Sequence, residues 1–190
     1  STQSSAKSIA GHFLHLLHGK APEPLHEQVM QCSLILYAEH EFNASTFTGR
    51  VIASTLSDIH SAVAGAIGAL RGPLHGGANE AAMAMIENWT SPEQAEQEIM
   101  GMLARKDKIM GFGHAIYRTS DPRNALIKAW SKKLSEASGD QHLFAVSERV
   151  EEVMWREKEL FCNADFFHAS AYHFMGIPTP LFTPIFVCSR

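Results

Sequence analysis

The sequence predicts an all-α fold. In most segments apolar residues recur at the spacing of helix turns, few stretches alternate with period two, and capping residues, glycine and proline separate the segments. The chain has 190 residues, of which 45% are hydrophobic and 19% are charged. This composition supplies an apolar core and excludes the collagen, coiled-coil and disordered classes.

Helices are predicted wherever apolar residues keep helical spacing, over residues 6–18, 25–39, 50–70, 78–88, 91–106, 121–139, 143–160 and 163–175. The first helix ends at Gly19, a residue that accepts the left-handed conformation of a helix C-cap. Alanine and glycine dominate residues 50–70, which suits a helix packed closely on several sides or lying at a subunit interface. Glycine and proline then break the pattern in residues 71–77.

Helix start signals are clearer in the second half of the chain. Residues 91–94 read Ser-Pro-Glu-Gln, which predicts an N-cap, a proline at the first helical position and a capping box. Asp121-Pro122 likewise predicts an N-cap followed by a proline at the first helical position. Residues 143–160 form a charged amphipathic stretch. Asn-Ala-Asp at residues 163–165 opens the last predicted helix, which Gly176 ends.

The charge balance favours a small molecule as the partner. Lys plus Arg number 16 and Asp plus Glu number 20, so the formal net charge is −4, and no basic block predicts a nucleic-acid or membrane surface. No apolar run reaches the roughly 18 residues that a membrane span requires. Residues 1–7 also lack the pattern of a signal peptide.

The cysteines and the end of the sequence give two further expectations. Cys32, Cys162 and Cys188 lie far apart without a CxxC pair, so neither a disulfide framework nor a cysteine zinc site is predicted. We therefore expect a reducing, cytoplasmic setting. Residues 187–190 end the sequence inside an apolar run with no helix-ending signal, so we expect it to be part of a longer protein.

Candidate functional residues fall at the breaks between helices, where loops held by rigid elements concentrate catalytic groups. Four stretches there combine a histidine or a carboxylate with glycine, proline or asparagine: residues 39–45, 73–80, 111–114 and 163–165.

Each signal is weak when taken alone. His75 lies in a Gly-Gly turn, and we expect the backbone amides of residues 76–78 to be free for an anion or oxyanion. The simpler interpretation makes His75 and His114 local hydrogen-bonding residues and Asp165 a helix N-cap.

No metal site is predicted from the other histidines. His15 and His18 are spaced closely enough to share a metal, but no third ligand is indicated. His168 and His173 lie on different faces of their helix.

Taken together, the four stretches resemble the citrate synthase family. The resemblance covers essentially the whole chain, and its motifs are GHFL at 11–14, YAEHEFNASTFT at 37–48, GPLHGGANE at 72–80, GFGH at 111–114, DPR at 121–123 and FTP at 182–184. It implies an all-helical enzyme with its active site in a cleft between two domains. Residues 1–76 and 177–190 would belong to the large domain and residues 77–176 to the smaller one, with the chain incomplete at both ends.

The resemblance also implies a reaction without a metal. The α-carbon of an acyl-CoA is joined to the ketone of oxaloacetate, and the thioester is then hydrolysed. Asp165 matches the family's base, and His75 matches the donor that stabilises the enol or enolate. His114 matches the residue that polarises the ketone and later assists hydrolysis. The positions that match the dicarboxylate ligands are His40, Arg123 and Arg190.

For coenzyme A the resemblance implies two backbone segments and two cations. The positions are Pro73, Leu74, His75, Gly76, Gly77, Lys108, Ile109, Met110, Gly111, Phe112, Arg118 and Lys158. Solvated surface positions remain the alternative for Arg118 and Lys158. The resemblance further implies a homodimer, in which the second subunit supplies another arginine, and domain closure over oxaloacetate that shields the enolate from water.

The acyl substrate is less firmly indicated. Glu39, Phe42 and Phe47, around His40, are most similar to the bacterial members that use propionyl-CoA, with acetyl-CoA as the alternative. A single methylene in an apolar pocket is worth about 1–3 kcal/mol, so we expect some use of both.

Two functions of other classes remain open. The first is an inactive helical dimerisation or binding module, which the intact His75, His114, Asp165 and Arg123 argue against. The second is a histidine-dependent metalloprotein, which the missing ligand spacing argues against.

Overall fold

A computed structural model describes residues 3–190. Within this range the chain forms α-helices and no strand, so the all-α prediction is confirmed. The helices are α1 (Ile9–His18), α2 (Pro24–Ala38), α3 (Ala44–Ser54), α4 (Ile59–Leu70), α5 (Ala78–Ile86), α6 (Pro92–Arg105), α7 (Pro122–Ser138), α8 (His142–Lys158), α9 (Ala164–Phe174) and α10 (Phe182–Ser189). None of the helices in residues 3–190 has both the length and the apolarity that a bilayer crossing needs.

The predicted caps are present at the helix ends. Gly19 adopts the left-handed conformation after α1, and Ser91 accepts from the amide of Gln94 at the start of α6. The Gln94 side chain accepts from the amide of Thr90 at 2.7 Å, so the capping box closes one residue earlier than predicted. Asp121 caps α7 by accepting from the amide of the second helical residue.

The prediction of one helix over residues 50–70 is wrong. The chain turns between α3 and α4, where Leu56 has a φ of 63° and Asp58 accepts from the amide of Ser61 at 3.0 Å. Asp58 is therefore an N-cap that starts a second helix. The two helices pack against each other as a hairpin, in which the small residue Gly65 lies against Ile52.

Helix α9 lies at the centre of the apolar core. It packs on α5, α7 and α8, and Phe166, Phe167 and Tyr172 are fully buried on it. Burying a large apolar side chain stabilises the fold by about 1.5–3 kcal/mol. This packing fixes the first turn of α9, which carries Asp165.

Helix α10 was not predicted, because its apolar run carries no start or stop signal. It follows a short 3-10 turn and packs on α2, where the hydroxyl of Ser189 donates to the carbonyl of Leu34. The amide of Thr183 donates to the carboxylate of Glu80 at 3.0 Å. The first contact brings the end of α10 beside the C-terminal half of α2, and the second ties the start of α10 to α5.

Candidate active site

A cavity of about 490 Å³ lies where the C-terminal end of α2, the loops before α5 and α7 and the start of α9 meet. Five predicted site residues from distant parts of the sequence line it together: His40, His75, His114, Arg123 and Asp165. The predicted coenzyme A positions that also line it are Pro73, Leu74, Lys108, Ile109, Met110, Gly111 and Phe112.

Asp165 lies in the first turn of α9. Asn163 is the N-cap and accepts from the amide of Asp165 at 3.0 Å, so the alternative that makes Asp165 the cap is wrong. Burial raises the pKa of Asp165 to about 6, although a hydrogen bond from Tyr37 and the charge of Arg123 oppose the rise. Such a carboxylate is more basic than a free one and still largely ionised at neutral pH.

His75 is held in one tautomer. Its Nε2 accepts from the backbone amide of Ser45 at 3.3 Å and lies 2.8 Å from the Ser45 hydroxyl. A backbone amide always donates, so Nε2 is the acceptor and Nδ1 carries the proton. Burial, and then the charge of Arg190, lower the pKa of His75. His75 is therefore a neutral hydrogen-bond donor.

The prediction that the backbone amides of residues 76–78 are free is wrong for two of the three. The amide of Gly77 donates to the carbonyl of Gly72 at 3.2 Å, and that of Ala78 donates to the carbonyl of His75 at 3.1 Å. Gly76 is needed for packing, because a Cβ there would lie 2.6 Å from the last carbonyl of α4. The glycines therefore shape the turn that positions the imidazole.

His114 and His40 are joined by a hydrogen bond between their Nε2 atoms, which lie 3.0 Å apart. The Nδ1 of His114 accepts from the amides of Ile116 at 3.1 Å and Tyr117 at 3.2 Å. The proton of neutral His114 is therefore on Nε2, which donates to His40. Burial lowers the pKa of both imidazoles, and the charge of Arg123 lowers it further.

Arg123 is held by a buried carboxylate. Its Nε and Nη2 donate to the two oxygens of Asp121 at 3.0 and 2.8 Å. The same carboxylate accepts from the amide of Ala164, at the start of α9, at 2.9 Å. Burial alone would raise the pKa of Asp121, but the hydrogen bonds and charge of Arg123 hold it below its ordinary value.

Arg190 lies behind His40, at a second cavity of about 550 Å³ that both residues line. Its guanidinium is 4.9 Å from the centre of the Phe186 ring. Among the described residues, Nε and Nη1 of Arg190 are buried with no hydrogen-bond partner. Buried donors without acceptors are costly, so this guanidinium is suited to bind an anion.

Four predicted coenzyme A positions lie outside the lining of the first cavity. Gly76 and Gly77 form the back of the turn, and Arg118 and Lys158 are exposed. Lys108 lines the cavity from an exposed position.

The loop that carries His114 is tied to the segment before α9. The amide of Gly113 donates to the carbonyl of Phe161 at 2.8 Å, and that of Asn163 donates to the carbonyl of Gly111 at 2.9 Å. The side chain of Asn163 also donates to the carbonyl of Gly113, at 3.0 Å. These bonds fix His114 relative to Asp165.

Sequence reasoning missed Tyr37, Asn43, Asn163 and Phe186 as cavity residues. Tyr37 has the helical spacing of a core-face residue within the helix predicted over residues 25–39, and its ring is buried. Asn163 lies two residues before the candidate carboxylate Asp165, and this position was the sequence signal that could have indicated it as a site residue. In residues 3–190, no three histidine, cysteine, aspartate or glutamate side chains converge in a way that could hold a metal ion.

The whole chain, residues 1–190, matches the family model described as citrate synthase, C-terminal domain. It is 69% identical over 189 residues to 2-methylcitrate synthase of Shewanella oneidensis, covering 100% of this chain and 50% of that protein. It is 49% identical over 182 residues to citrate synthase 2 of Bacillus subtilis, covering 96% of this chain and 49% of that protein. The chain thus spans about half the length of these curated relatives.

Solved structures give the same assignment. Citrate synthase of Thermoplasma acidophilum, in a ternary complex with carboxymethyl coenzyme A and oxaloacetate, has a TM-score of 0.92 and 34% sequence identity, covering 98% of this chain and 51% of that one. Because the family model matches every residue and the helical fold agrees, the chain belongs to the citrate synthase family.

Proposed function

We propose that the full-length protein containing this chain is a 2-methylcitrate synthase, which converts propionyl-CoA, oxaloacetate and water to 2-methylcitrate and CoA. The observation that carries the proposal is the convergence of a basic carboxylate, Asp165, with His75 and His114 on one cavity. The reaction needs a base and two neutral donors there. We place the enzyme in the cytoplasm, in propionate catabolism.

The first step forms the nucleophile. The carboxylate of Asp165 takes a proton from the α-carbon of the thioester, while Nδ1–H of His75 donates to the thioester oxygen, where negative charge develops. A neutral imidazole suits this role, because its proton moves toward the oxygen without a change in net charge at the site. The product is an enol or enolate that remains bound as the CoA thioester.

The second step forms the carbon–carbon bond. Nε2–H of His114 donates to the ketone oxygen of oxaloacetate, which makes the carbonyl carbon more electrophilic. The enolate carbon attacks that carbon, and the ketone oxygen takes the Nε2 proton of His114 to become a hydroxyl. In the hydrolysis that follows, His114 takes a proton from the water that adds to the thioester carbonyl. CoA then leaves as a thiol with the proton that Asp165 took in the first step. This final hydrolysis makes the overall reaction irreversible in practice.

Oxaloacetate is a dianion, and the proposed ligands match its charge. We assign its carboxylates to Arg123, Arg190 and His40. Arg190 offers buried N–H donors, and Arg123 is held in place by Asp121. Arginine binds carboxylates in a bidentate geometry that lysine cannot reproduce.

Coenzyme A would enter past the loop of Lys108–Phe112 and the turn at Pro73 and Leu74, which line the cavity. In this proposal the nucleotide end of coenzyme A extends beyond the residues that line the first cavity. The exposed Arg118 and Lys158 are then the candidates for its phosphates.

We also propose a homodimer that pairs through the α3–α4 hairpin. This hairpin exposes a group of apolar side chains, Val51, Leu56, Ile59, Val63 and Ile67, with exposed fractions of 48%, 95%, 70%, 49% and 43%. Exposed apolar side chains grouped on one hairpin are typical of a subunit interface. The second cavity opens beside the same helices, where a partner's arginine would complete the dicarboxylate site.

The domain division remains part of the proposal. Residues 1–76 and 177–190 would move as one body and residues 77–176 as the other, closing on oxaloacetate before the acyl-CoA binds. His40 and Arg190 would then approach from one side, and His114 and Arg123 from the other.

Citrate synthesis from acetyl-CoA is the second candidate, because the chain shares 49% identity with citrate synthase 2 of Bacillus subtilis. The test compares CoA release from propionyl-CoA and acetyl-CoA with oxaloacetate in the full-length protein. We expect turnover of both and a higher kcat/KM for propionyl-CoA. A preference for acetyl-CoA would support the second candidate, and turnover of neither would indicate the inactive helical module.

A further inference from the structure

We propose that Tyr37 is a positioning residue, whose buried hydroxyl fixes the orientation of Asp165 and stabilises its ionised form. The inference rests on the proposed role of Asp165 as the base. Tyr37 lies in the last turn of α2 and Asp165 in the first turn of α9, so the contact joins two helices that are far apart in sequence.

The hydroxyl of Tyr37 donates to Oδ1 of Asp165 at 2.7 Å. The Tyr37 oxygen in turn accepts from the side-chain amide of Asn79, 3.4 Å away on α5, and Asn79 is fully buried. A hydrogen bond on Oδ1 leaves Oδ2 as the oxygen that takes the substrate proton. The carboxylate is thereby presented in one orientation.

The Tyr37 ring has little freedom to move. It is stacked on His168 with the ring centres 4.1 Å apart, and Phe186 lies at the same distance at an angle of 30°. Residues of α9 and α10 therefore clamp a side chain of α2 that is 1% exposed. A hydroxyl on a clamped ring is a preorganised donor.

Tyr37 acts only as a donor toward the carboxylate. Burial, and then the charge of Asp165, raise the pKa of the Tyr37 phenol well above its ordinary value, so it stays protonated. A donor to the ionised form of a carboxylate lowers the pKa of that carboxylate. Tyr37 therefore opposes the effect of burial and keeps Asp165 available as a base at neutral pH.

Several other charged or titratable groups surround Asp165 and remain in place when Tyr37 is changed. They are Asp121 and Arg123 from the start of α7, His40 and His114 from the loops after α2 and α6, His75 from the turn before α5, His168 from α9 and Arg190 after α10. A change at Tyr37 thus alters one hydrogen bond in an otherwise constant electrostatic environment.

Tyr37→Phe in the full-length protein tests the proposal. A hydrogen bond to a charged group is worth about 1.5–3 kcal/mol, so we expect the acid limb of the kcat–pH profile to move up by about one to two units. Because the wild-type pKa of Asp165 is about 6, kcat at pH 7 should fall by about two- to tenfold, and it should recover above about pH 8.5. The KM for oxaloacetate should change by less than about threefold.

Tyr172→Phe is the matched control. Tyr172 is also fully buried and touches the His168 ring, but its hydroxyl is bonded to Ser33 at 2.6 Å and not to Asp165. This variant removes a similar buried hydroxyl and should leave the acid limb in place. Asn79→Ala should move the limb in the same direction as Tyr37→Phe by a smaller amount, and it replaces Tyr37→Phe if that variant does not fold.

Carbon-13 NMR titration of the Asp165 carboxyl, without ligands, separates the inference from the proposed function. In Tyr37→Phe the pKa of Asp165 should rise, and in Tyr172→Phe it should not. An unchanged pKa of Asp165 in Tyr37→Phe would overturn the inference directly. A raised pKa with an unmoved acid limb would overturn the role of Asp165 as the base, and with it the positioning of that base by Tyr37.

Discussion

Nε2 of His114 donates a hydrogen bond to Nε2 of His40 across 3.0 Å. The donor that the proposed reaction directs at a ketone oxygen is therefore already oriented before substrate binds. Without substrate, the Nε2 lone pair of His40 accepts this hydrogen bond. In the proposed reaction, the ketone oxygen of oxaloacetate accepts it instead. The exchange of one acceptor for the other requires no change of tautomer at His114.

This hydrogen bond predicts the protonation pattern of both rings. In the full-length protein, nitrogen NMR of labelled histidine should show His114 protonated on Nε2 and His40 protonated on Nδ1 at pH 7.5. In His40→Ala, the pKa of His114 should rise, because the neighbouring imidazole that lowers it has been removed. A His114 ring protonated on Nδ1 would contradict this pattern.

Arg190 should contribute strongly to oxaloacetate binding. Its buried Nε and Nη1 have no partner among the described residues, and a hydrogen bond to a charged group is worth about 1.5–3 kcal/mol. Arg190→Gln should weaken binding of oxaloacetate by about 10- to 100-fold in calorimetry. Arg105→Gln is the control, because Arg105 is exposed and paired with Asp107. Equal affinities for the two variants would exclude this role.

Asp121 should be a large contributor to stability. It is 3% exposed, and breaking a buried ion pair by removing one partner costs about 3–5 kcal/mol. Asp121→Asn should lower the free energy of unfolding in urea by about that amount, whereas the exposed Asp107→Asn should change it by less than about 1 kcal/mol.

The effect of Asp121 should also depend on pH. Its pKa is lower in the folded protein than in the unfolded chain, so its contribution is complete above about pH 4 and disappears as the pH falls through the folded value. The wild-type and Asp121→Asn stabilities should therefore converge in acid. A constant difference down to pH 2 would argue against a contribution from the charge.

Asp165 should have the opposite effect on stability. Its pKa is raised to about 6, so the folded state binds its proton more tightly than the unfolded state does. The contribution of Asp165 to the free energy of unfolding should therefore fall as the pH rises from about 4 to about 6, and it should not recover above about pH 6. Asp165→Asn should therefore raise the Tm of the ligand-free full-length protein at pH 7.5 and have less effect at pH 4. Asp107→Asn serves as the exposed control.

The α3–α4 hairpin should hold the subunits together. Val63, on α4, is 49% exposed, and Val63→Asp would place a charge in the proposed interface, where an unpaired buried charge is costly. Sedimentation of the full-length protein should show dimers for the wild type and monomers for Val63→Asp. Ile35→Asp is the control, because Ile35 is 69% exposed on α2, away from the hairpin. An undisturbed dimer in Val63→Asp would rule out this interface.

Local signals in the sequence predicted most helix ends, because a cap depends on a few neighbouring residues. The start of α6 at Ser91 and the end of α7 at Gly139 are examples. The turn between α3 and α4 was missed because the alanine and glycine content of the region concealed Asp58, whose capping role depends on one side-chain hydrogen bond.

The candidate site was harder to predict from residues alone. The chain between His40 and Asp165 folds through several helices, so spacing could not bring them together, and the family resemblance was needed. The amides after His75 were expected to be free, but turn geometry engages two of them. Tyr37 was missed because periodicity indicates that a side chain is buried and not that its hydroxyl reaches a carboxylate.

The backbone bonds between Gly113 and Phe161 and between Asn163 and Gly111 join the loop of His114 to the start of α9. The proposed base, Asp165, and the proposed ketone-polarising residue, His114, therefore lie on two segments that the backbone holds together. Leu74 is exposed, lines the same cavity and belongs to neither segment, so substitutions there should leave these backbone bonds in place. A change on the proposed coenzyme A side of the cavity at Leu74 can thus leave the spacing between Asp165 and His114 as it is.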